Sequence, residues 1–324
     1  MTLTESGARP DADSWPIAAA MLPFLSTTAS GVAVQDAPDE IWHAALAEVA
    51  DAGFTEVDLT DSWVRPGDLS KPDLERLARV GADAGLHAEA ISAIRRSVID
   101  PENGDDNLAY SHRSIDAAAA LGCSVLSVGL HRPLLPEQRT ALWFWTVDGP
   151  RDRDDAETWK LAVSRLRELG DHARSVGVRL SLEMYEDTLL GSADSAVRLV
   201  QDIDSEQVGL NPDLGNLFRL HRPVEPFLDA LVKCLPYTNY WHVKNYYRLE
   251  DAPTGAVLSA PAPMDSGSMN YRRAVKLALN AGFTGPFCVE HYGGDGLSVM
   301  ARNRDYIRGL LRFDLSASAS REVL

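Results

Sequence analysis

The sequence is poor in cysteine, short of basic charge and free of any long apolar run. Its three cysteines, Cys123, Cys234 and Cys288, are odd in number, widely spaced and set in apolar stretches. That excludes a disulfide framework and suits a reducing cytoplasm. Lys and Arg total 31 against 47 Asp and Glu, for a formal net charge of −16. Such a surface repels a polyanion, because nonspecific nucleic-acid binding rests on basic side chains neutralising phosphates. No stretch reaches the roughly 20 apolar residues of a membrane helix, and MTLTESGARPDADSW at the start has neither the basic block nor the apolar block of a secretory signal. A strand-GxGxxG-helix or Walker phosphate loop is also missing. The expectation is a cytoplasmic protein with no nucleic-acid and no membrane partner.

What the chain does contain is a repeating alternation. WPIAAAMLPF reads as a buried strand, and PDEIWHAALAEVADAG follows with helical spacing and a terminal Gly53. FTEVDLTDSW then leads to KPDLERLARVGADAG, a helix with Pro72 near its start and Gly85 at its stop. LHAEAISAIRRS and CSVLSVGLHRP continue the series, as do VRLSLEMYED, VGLNPDLGN, TNYWHVKNY and GPFCVEHY. Eight strand-helix alternations without consecutive hairpins predict an α/β protein, a single (β/α)8 TIM barrel, with extended loops after strand 4 and after strand 7. The barrel is expected over residues 15–314, with a flexible N-terminus over 1–14 and a flexible tail over 315–324.

The last four strands end on polar residues: Glu183, Asp213, His242 and Glu290. A buried strand carries an unpaired acid only at a cost of many kcal/mol, so something must pair with these acids. Three carboxylates and one imidazole suit a hard or borderline divalent ion, Mn²⁺ first, with Mg²⁺ or Co²⁺ also acceptable. In a parallel barrel the chemistry sits at the C-terminal strand ends, where all four residues fall.

The order and spacing of LEMYE, NPDLGN, YWHVKN and CVEHY resemble the xylose isomerase-like barrel superfamily, which includes sugar and sugar-phosphate isomerases and epimerases and AP endonucleases of the endonuclease IV type. The resemblance implies one Mn²⁺ or related ion held by Glu183, Asp213, His242 and Glu290. Two positions depart from that pattern: Asn216 stands where many members have His, and Asn245 where many have Asp. The three-zinc endonucleases need that histidine and a further Asp-x-His pair, so the departures speak against a nuclease. The aromatic insertion after GLHRP and the EHYGGDGLS ending look most like the larger subunit of bacterial C-glycoside deglycosidases. That likeness implies cleavage of the carbon-carbon bond of a 3-oxo glycoside, and a smaller second subunit in a hetero-oligomer.

Either chemistry removes a proton beside a sugar carbonyl, whether the small-molecule substrate is an oxidised glycoside or a ketose. In the deglycosidase likeness His131, at the end of the fourth strand, is the expected base. In an isomerase or epimerase of sugars or sugar phosphates, Glu183 and Glu290 are expected to be both ligands and proton carriers. Trp63, Trp143 and Trp145 fall in strand-end loops and are expected to stack on substrate. Lys244 is a candidate for polarising a hydroxyl or holding a phosphate. GGDG, from Gly293 to Gly296, is either an anion cradle or a plain turn.

Overall fold

The structure, a computed structural model, describes residues 9–319. Its strands are β1 (Ile17–Ala20), β2 (Glu56–Thr60), β3 (His87–Ala93), β4 (Val125–Gly129), β5 (Arg179–Glu183), β6 (Val208–Asn211), β7 (Trp241–Val243), β8 (Asn245–Asp251), β9 (Ala256–Ala262) and β10 (Phe287–Val289). Eight of them pair in the order β6-β5-β4-β3-β2-β1-β10-β7, every pair parallel. A parallel bridge from Leu210 to Thr238 brings the β6 edge to the segment entering β7. The result is the expected single (β/α)8 barrel.

The helices are α1 (Asp39–Asp51), α2 (Lys71–Asp83), α3 (Gly104–Leu121), the short α4 (Pro136–Thr140), α5 (Ala156–Val176), α6 (Ala193–Ile203), the single turn α7 (Gly215–Phe218), α8 (Phe227–Cys234), α9 (Tyr271–Asn280) and α10 (Gly296–Ala319). Their ends follow local chemistry. Pro72 lies in the first turn of α2, and the Ser70 and Asp155 side chains accept backbone N–H groups at the starts of α2 and α5. Gly122 and Gly177 end α3 and α5 with φ of 75° and 78°, a left-handed bend that a side chain would strain.

The main apolar core lies between the strands and the helices, from Trp15 and Trp42 through Leu166 to Leu311. Inside the ring a second, small cluster holds Ala20, Ala90, Val125, Tyr240 and Cys288. Asp58 pairs in register with Ala20 and Ala90, so two alanines leave the width that a buried carboxylate and a tyrosine occupy. The barrel interior is thus narrow, and polar toward one end.

The extended segment after strand 4 is present and is partly ordered by α4 and a 3₁₀ turn over Phe144–Thr146. After strand 7 the expectation of a loop needs correction. Residues 245–262 form an antiparallel hairpin of β8 and β9, paired from Asn245–Ala262 to Asp251–Ala256. Its Pro, Ala and Ser content hid the pattern, because Pro261 is tolerated in a two-stranded ribbon with free edges. Of the expected N-terminal segment, residues 1–8 lie outside the described residues. Arg9 donates to Leu279 O at 2.7 Å, and Arg308 donates to Ala12 O at 2.6 Å. Helix α10 continues to Ala319, past the expected boundary at 314, and residues 320–324 lie outside the described residues.

Candidate metal centre

Four neighbouring strands end on one small volume. Glu183 is the last residue of β5, Asp213 follows β6 by two residues, His242 is central in β7 and Glu290 follows β10. All four are buried, with Asp213 fully enclosed. One ligand atom each from Glu183, Asp213 and His242 lies within 4.8 Å of the others. Glu290 joins from the far side, its Oε1 2.9 Å from His242 Nδ1, although that contact lacks the alignment of a hydrogen bond and His242 Nδ1 remains unpartnered.

Lys244 crosses this volume. Its ammonium donates to Asp213 Oδ2 and to Glu290 Oε2, and its stem passes over Gly215, where a Cβ would come within 2.6 Å of the lysine Cγ. Asn216 supplies the remaining tie, with Nδ2 donating to Asp213 Oδ2 at 3.0 Å, to Glu183 Oε1 at 3.1 Å and to Met184 O at 3.0 Å. The residue that departs from the common histidine pattern therefore holds two of the carboxylates together. Asn245, the other departure, anchors β8 through Met264 O and Met269 O.

The donor set fits a divalent cation. Three buried carboxylates face one lysine, an excess of negative charge in a low-dielectric place. Asp213 Oδ1 and His242 Nδ1 are both buried without a hydrogen-bond partner, which is rare for native polar atoms. Electrostatics reflect the crowding. Burial, then the charges of Asp213 and Glu290, raise the Glu183 pKa well above the usual carboxylate range. Burial also pushes Glu290 upward, but Lys244 and His242 outweigh it and hold that carboxyl low. His242 is raised well above an ordinary imidazole, since Glu290, Asp58 and Glu183 overcome the opposing effect of burial.

Behind His242 sits a second group that the sequence did not single out. Asp58 is fully buried and accepts from Tyr240 Oη at 2.6 Å and Ser92 Oγ at 2.7 Å, with His242 Nε2 3.5 Å away. Asp58, His242 and Cys288 also converge closely enough for a metal. Burial, then Asp58 and Glu290, raise the Cys288 thiol above its usual range, and the Asp58 carboxylate is already engaged by Tyr240 and Ser92. This side of the imidazole orients the ring, as carboxylates do behind metal-binding histidines. In addition, Asn211 Oδ1 accepts the His242 backbone N–H at 2.7 Å.

His131 is buried at the end of β4, with its ring over Gly129, where a Cβ would lie 2.4 Å from Nδ1. It stacks on Tyr185 at 4.3 Å and 17°, and its Nδ1 has no hydrogen-bond partner. Burial, then the charges of Arg95, Arg219 and Lys244, keep this imidazole neutral well below pH 6.5. A cavity of about 210 Å³ opens beside it, lined by Arg95, Trp145, Tyr185, Glu186 and Arg222 among others. Arg95 reaches Tyr185 Oη at 2.9 Å from a backbone with φ of 56°, an uncommon conformation for a side chain of this size.

The expected aromatic contacts divide. Trp143 and Trp145 stack on each other at 5.0 Å, and Trp145 meets Tyr246 and Tyr292 edge-on. Trp145 and Phe144 close over Arg219, whose guanidinium holds both oxygens of Glu186 at 3.0 Å. Trp63 is placed differently: it is only 2% exposed, packs in the main core and does not line the cavity beside His131. Lys244 is neither solvated nor a free phosphate site, since two carboxylates hold it. GGDG is a turn: Gly293 and Gly294 take positive φ, and Asp295 accepts the Ser298 N–H to start α10.

The model of the xylose isomerase-like TIM barrel family matches residues 46–313. A solved xylose isomerase-like TIM barrel protein from Mycobacterium smegmatis, in complex with magnesium, is 48% identical with a TM-score of 0.91, and the alignment covers 94% of this chain and 99% of that one. D-psicose 3-epimerase from Clostridium cellulolyticum H10 matches at 14% identity and a TM-score of 0.62, over 93% of this chain and 98% of its own. The 3-keto-D-glucoside 4-epimerase of E. coli matches at 15% and 0.61, over 91% and 100%. At such identities the last two likenesses are of fold. No curated protein matches the chain.

Proposed function

The chain belongs to the xylose isomerase-like TIM barrel family, and from that premise we propose that it is a divalent-cation-dependent isomerase or epimerase of ketoses, their phosphates or related oxo sugars. Glu183, Asp213, His242 and Glu290 would hold the ion. When bound, it would act as a Lewis acid on the sugar carbonyl and its neighbouring hydroxyl, a contribution of several kcal/mol.

The proton chemistry falls to the chain's own carboxylates. Glu183 and Glu290 come from β5 and β10, with β6 and β7 between them in the ring. The observation that carries the proposal is geometric: these two acids and Asp213 are buried around His242 at the ends of neighbouring strands, and Asp213 Oδ1 is left without a hydrogen-bond partner. Such a pair can take a proton from the carbon beside the carbonyl and return one to the other face or to the neighbouring carbon. Asn216 fixes Glu183 against Asp213, and Trp145 packs on Tyr292, whose ring lies 5.3 Å from Lys244 Nζ. Incubating the Mg²⁺- or Mn²⁺-loaded protein with a panel of ketoses, ketose phosphates and 3-oxo glucosides in D₂O tests this. Deuterium at the carbon beside the carbonyl is expected in at least one substrate, lost on chelation; a panel without exchange would sink the proposal.

A second reading rests on the cavity beside His131, whose lining includes Arg95, Trp145 and Tyr185 but none of the four candidate ligands. It leaves room for a flat aglycone on an oxidised C-glycoside. There His131 would take the proton beside the 3-oxo group, the electron pair would pass into the ring carbons, and the carbon-carbon bond to the aglycone would break as the aglycone takes up a proton. This reading includes Mn²⁺ as the preferred ion and a smaller partner subunit in a hetero-oligomer. Free aglycone in the same incubation would decide for it. Three buried free thiols suit a cytoplasmic setting for either reading.

A further inference from the structure

On the outer wall of the barrel α3 and α5 pack side by side, and each carries a histidine and an acid one helical turn apart. His112 and Asp116 lie on α3; Glu168 and His172 lie on α5. The four residues cross-pair: His112 Nε2 is 3.0 Å from Glu168 Oε1, and His172 Nε2 is 3.0 Å from Asp116 Oδ1. The two remaining nitrogens, Nδ1 of His112 and Nδ1 of His172, converge to 2.8 Å, with the rings 5.0 Å apart at 36°. Nothing in the mouth chemistry uses this group.

Proton counting shows what the arrangement demands. An ionised carboxylate only accepts hydrogen bonds, so each Nε2 must carry a hydrogen. An imidazole protonated there and otherwise neutral presents a lone pair at Nδ1, and two lone pairs at 2.8 Å repel. A cation seated between the two nitrogens relieves that repulsion. We propose that His112 and His172 form a transition-metal site, taking Zn²⁺ or Cu²⁺ on their two Nδ1 atoms with water completing the coordination.

Asp116 and Glu168 are the carboxylates against the pair, and they play the part that acids play behind metal-binding histidines: they fix the tautomer and raise the basicity of the ring. Zn–N bonds of about 2.0–2.1 Å with a tetrahedral angle require the two nitrogens to part by roughly half an ångström. Side chains that are 28% and 24% exposed have that freedom. Imidazole donors select zinc or copper over magnesium, so the wall site differs in preference from the carboxylate-rich mouth.

The test is equilibrium dialysis of Zn²⁺ against the full chain in excess Mg²⁺ at neutral pH, with the ring Cε1–H resonances of His112 and His172 followed in parallel. Wild type is expected to bind one zinc more than either H112Q or H172Q, and both resonances should shift with that extra equivalent. Glu168→Gln should weaken the extra site about 10-fold or more while leaving its stoichiometry intact. Equal zinc uptake by wild type and both variants, with unshifted resonances, would overturn the proposal. So would a pair that titrates with pH and takes no zinc, which would be a proton bridge alone. Because both variants change partly exposed residues on helix faces, circular dichroism of each separates site loss from misfolding, and a variant that unfolds is replaced by His172→Asn.

Discussion

The molecule holds two histidine-carboxylate clusters built in opposite senses. At the barrel mouth carboxylates converge, and the one imidazole among them is steadied from behind by Asp58 and Ser92. On the outer wall two imidazoles converge, and the carboxylates stand behind them. Burial explains the contrast. Acids gathered at 0–6% exposure cannot remain ionised together without cations, so the mouth carries Lys244 and has orphaned oxygen and nitrogen atoms left for an ion. The wall acids are 55% and 64% exposed; water screens them, and their value lies in orienting the rings. Depth thus decides which residue type faces the cation.

The contrast is broken most severely by removing one mouth carboxylate. Asp213→Asn should abolish Mg²⁺ and Mn²⁺ binding and lower kcat/KM by about 10³-fold or more, the loss of several kcal/mol of Lewis-acid assistance. The wall pair should still take its zinc. Calorimetric titration of both metals into the variant checks each half separately; simultaneous loss of both sites would mean the clusters are not independent.

His131→Gln comes next, and it separates the two chemistries. If His131 takes the substrate proton, turnover should fall by about 10²- to 10⁴-fold with metal affinity unchanged. If the paired glutamates carry the proton, the change should be less than about tenfold. Single-turnover deuterium uptake distinguishes these cases, since a slower chemical step and a weaker substrate complex have different signatures.

A smaller effect is expected for Asp58→Asn. The variant keeps an oxygen for Tyr240 or Ser92 but removes the charge behind His242, and mouth metal affinity should fall about 10- to 100-fold. An unchanged affinity would reduce Asp58 to a packing residue. This residue also marks the limit of what sequence carries. Glu183, Asp213, His242 and Glu290 were legible because each stands within, at the end of or just past a short apolar strand, where an acid or imidazole is conspicuous. Asp58 sits within FTEVDLTDSW among other acids, and only the register beside Ala20 and Ala90 reveals that it faces inward. Trp63 packs in the main core, which its position after a strand does not reveal. The β8–β9 hairpin was hidden by a composition that reads as loop, and the His112–His172 pair by a separation of 60 residues that only helix packing closes.

Asp61 sharpens the comparison by showing what burial costs an acid whose one cation stands at a distance. It follows β2 and is 8% exposed, with Oδ1 accepting the Ile94 N–H at 3.0 Å and Oδ2 without an aligned donor. Arg96 approaches only to 3.6 Å. Burial lifts the carboxyl from 3.8 to about 6, against the opposing pull of the Ile94 N–H and Arg96. A folded-state pKa above the unfolded one means that the folded chain binds the proton more tightly. The contribution is therefore fully favourable below pH 3.8 and is lost as pH rises through about 6. At neutral pH the ionised acid costs at most about 3 kcal/mol. Asp61→Asn retains the acceptor for Ile94 and removes that titration, so it should raise stability by about 1–3 kcal/mol at pH 7.5 and by much less at pH 4. Urea unfolding of both proteins at the two pH values measures the difference. A gain independent of pH would place the effect in packing, whereas a loss at pH 7.5 would mean that Arg96 already compensates the charge as Lys244 does at the mouth.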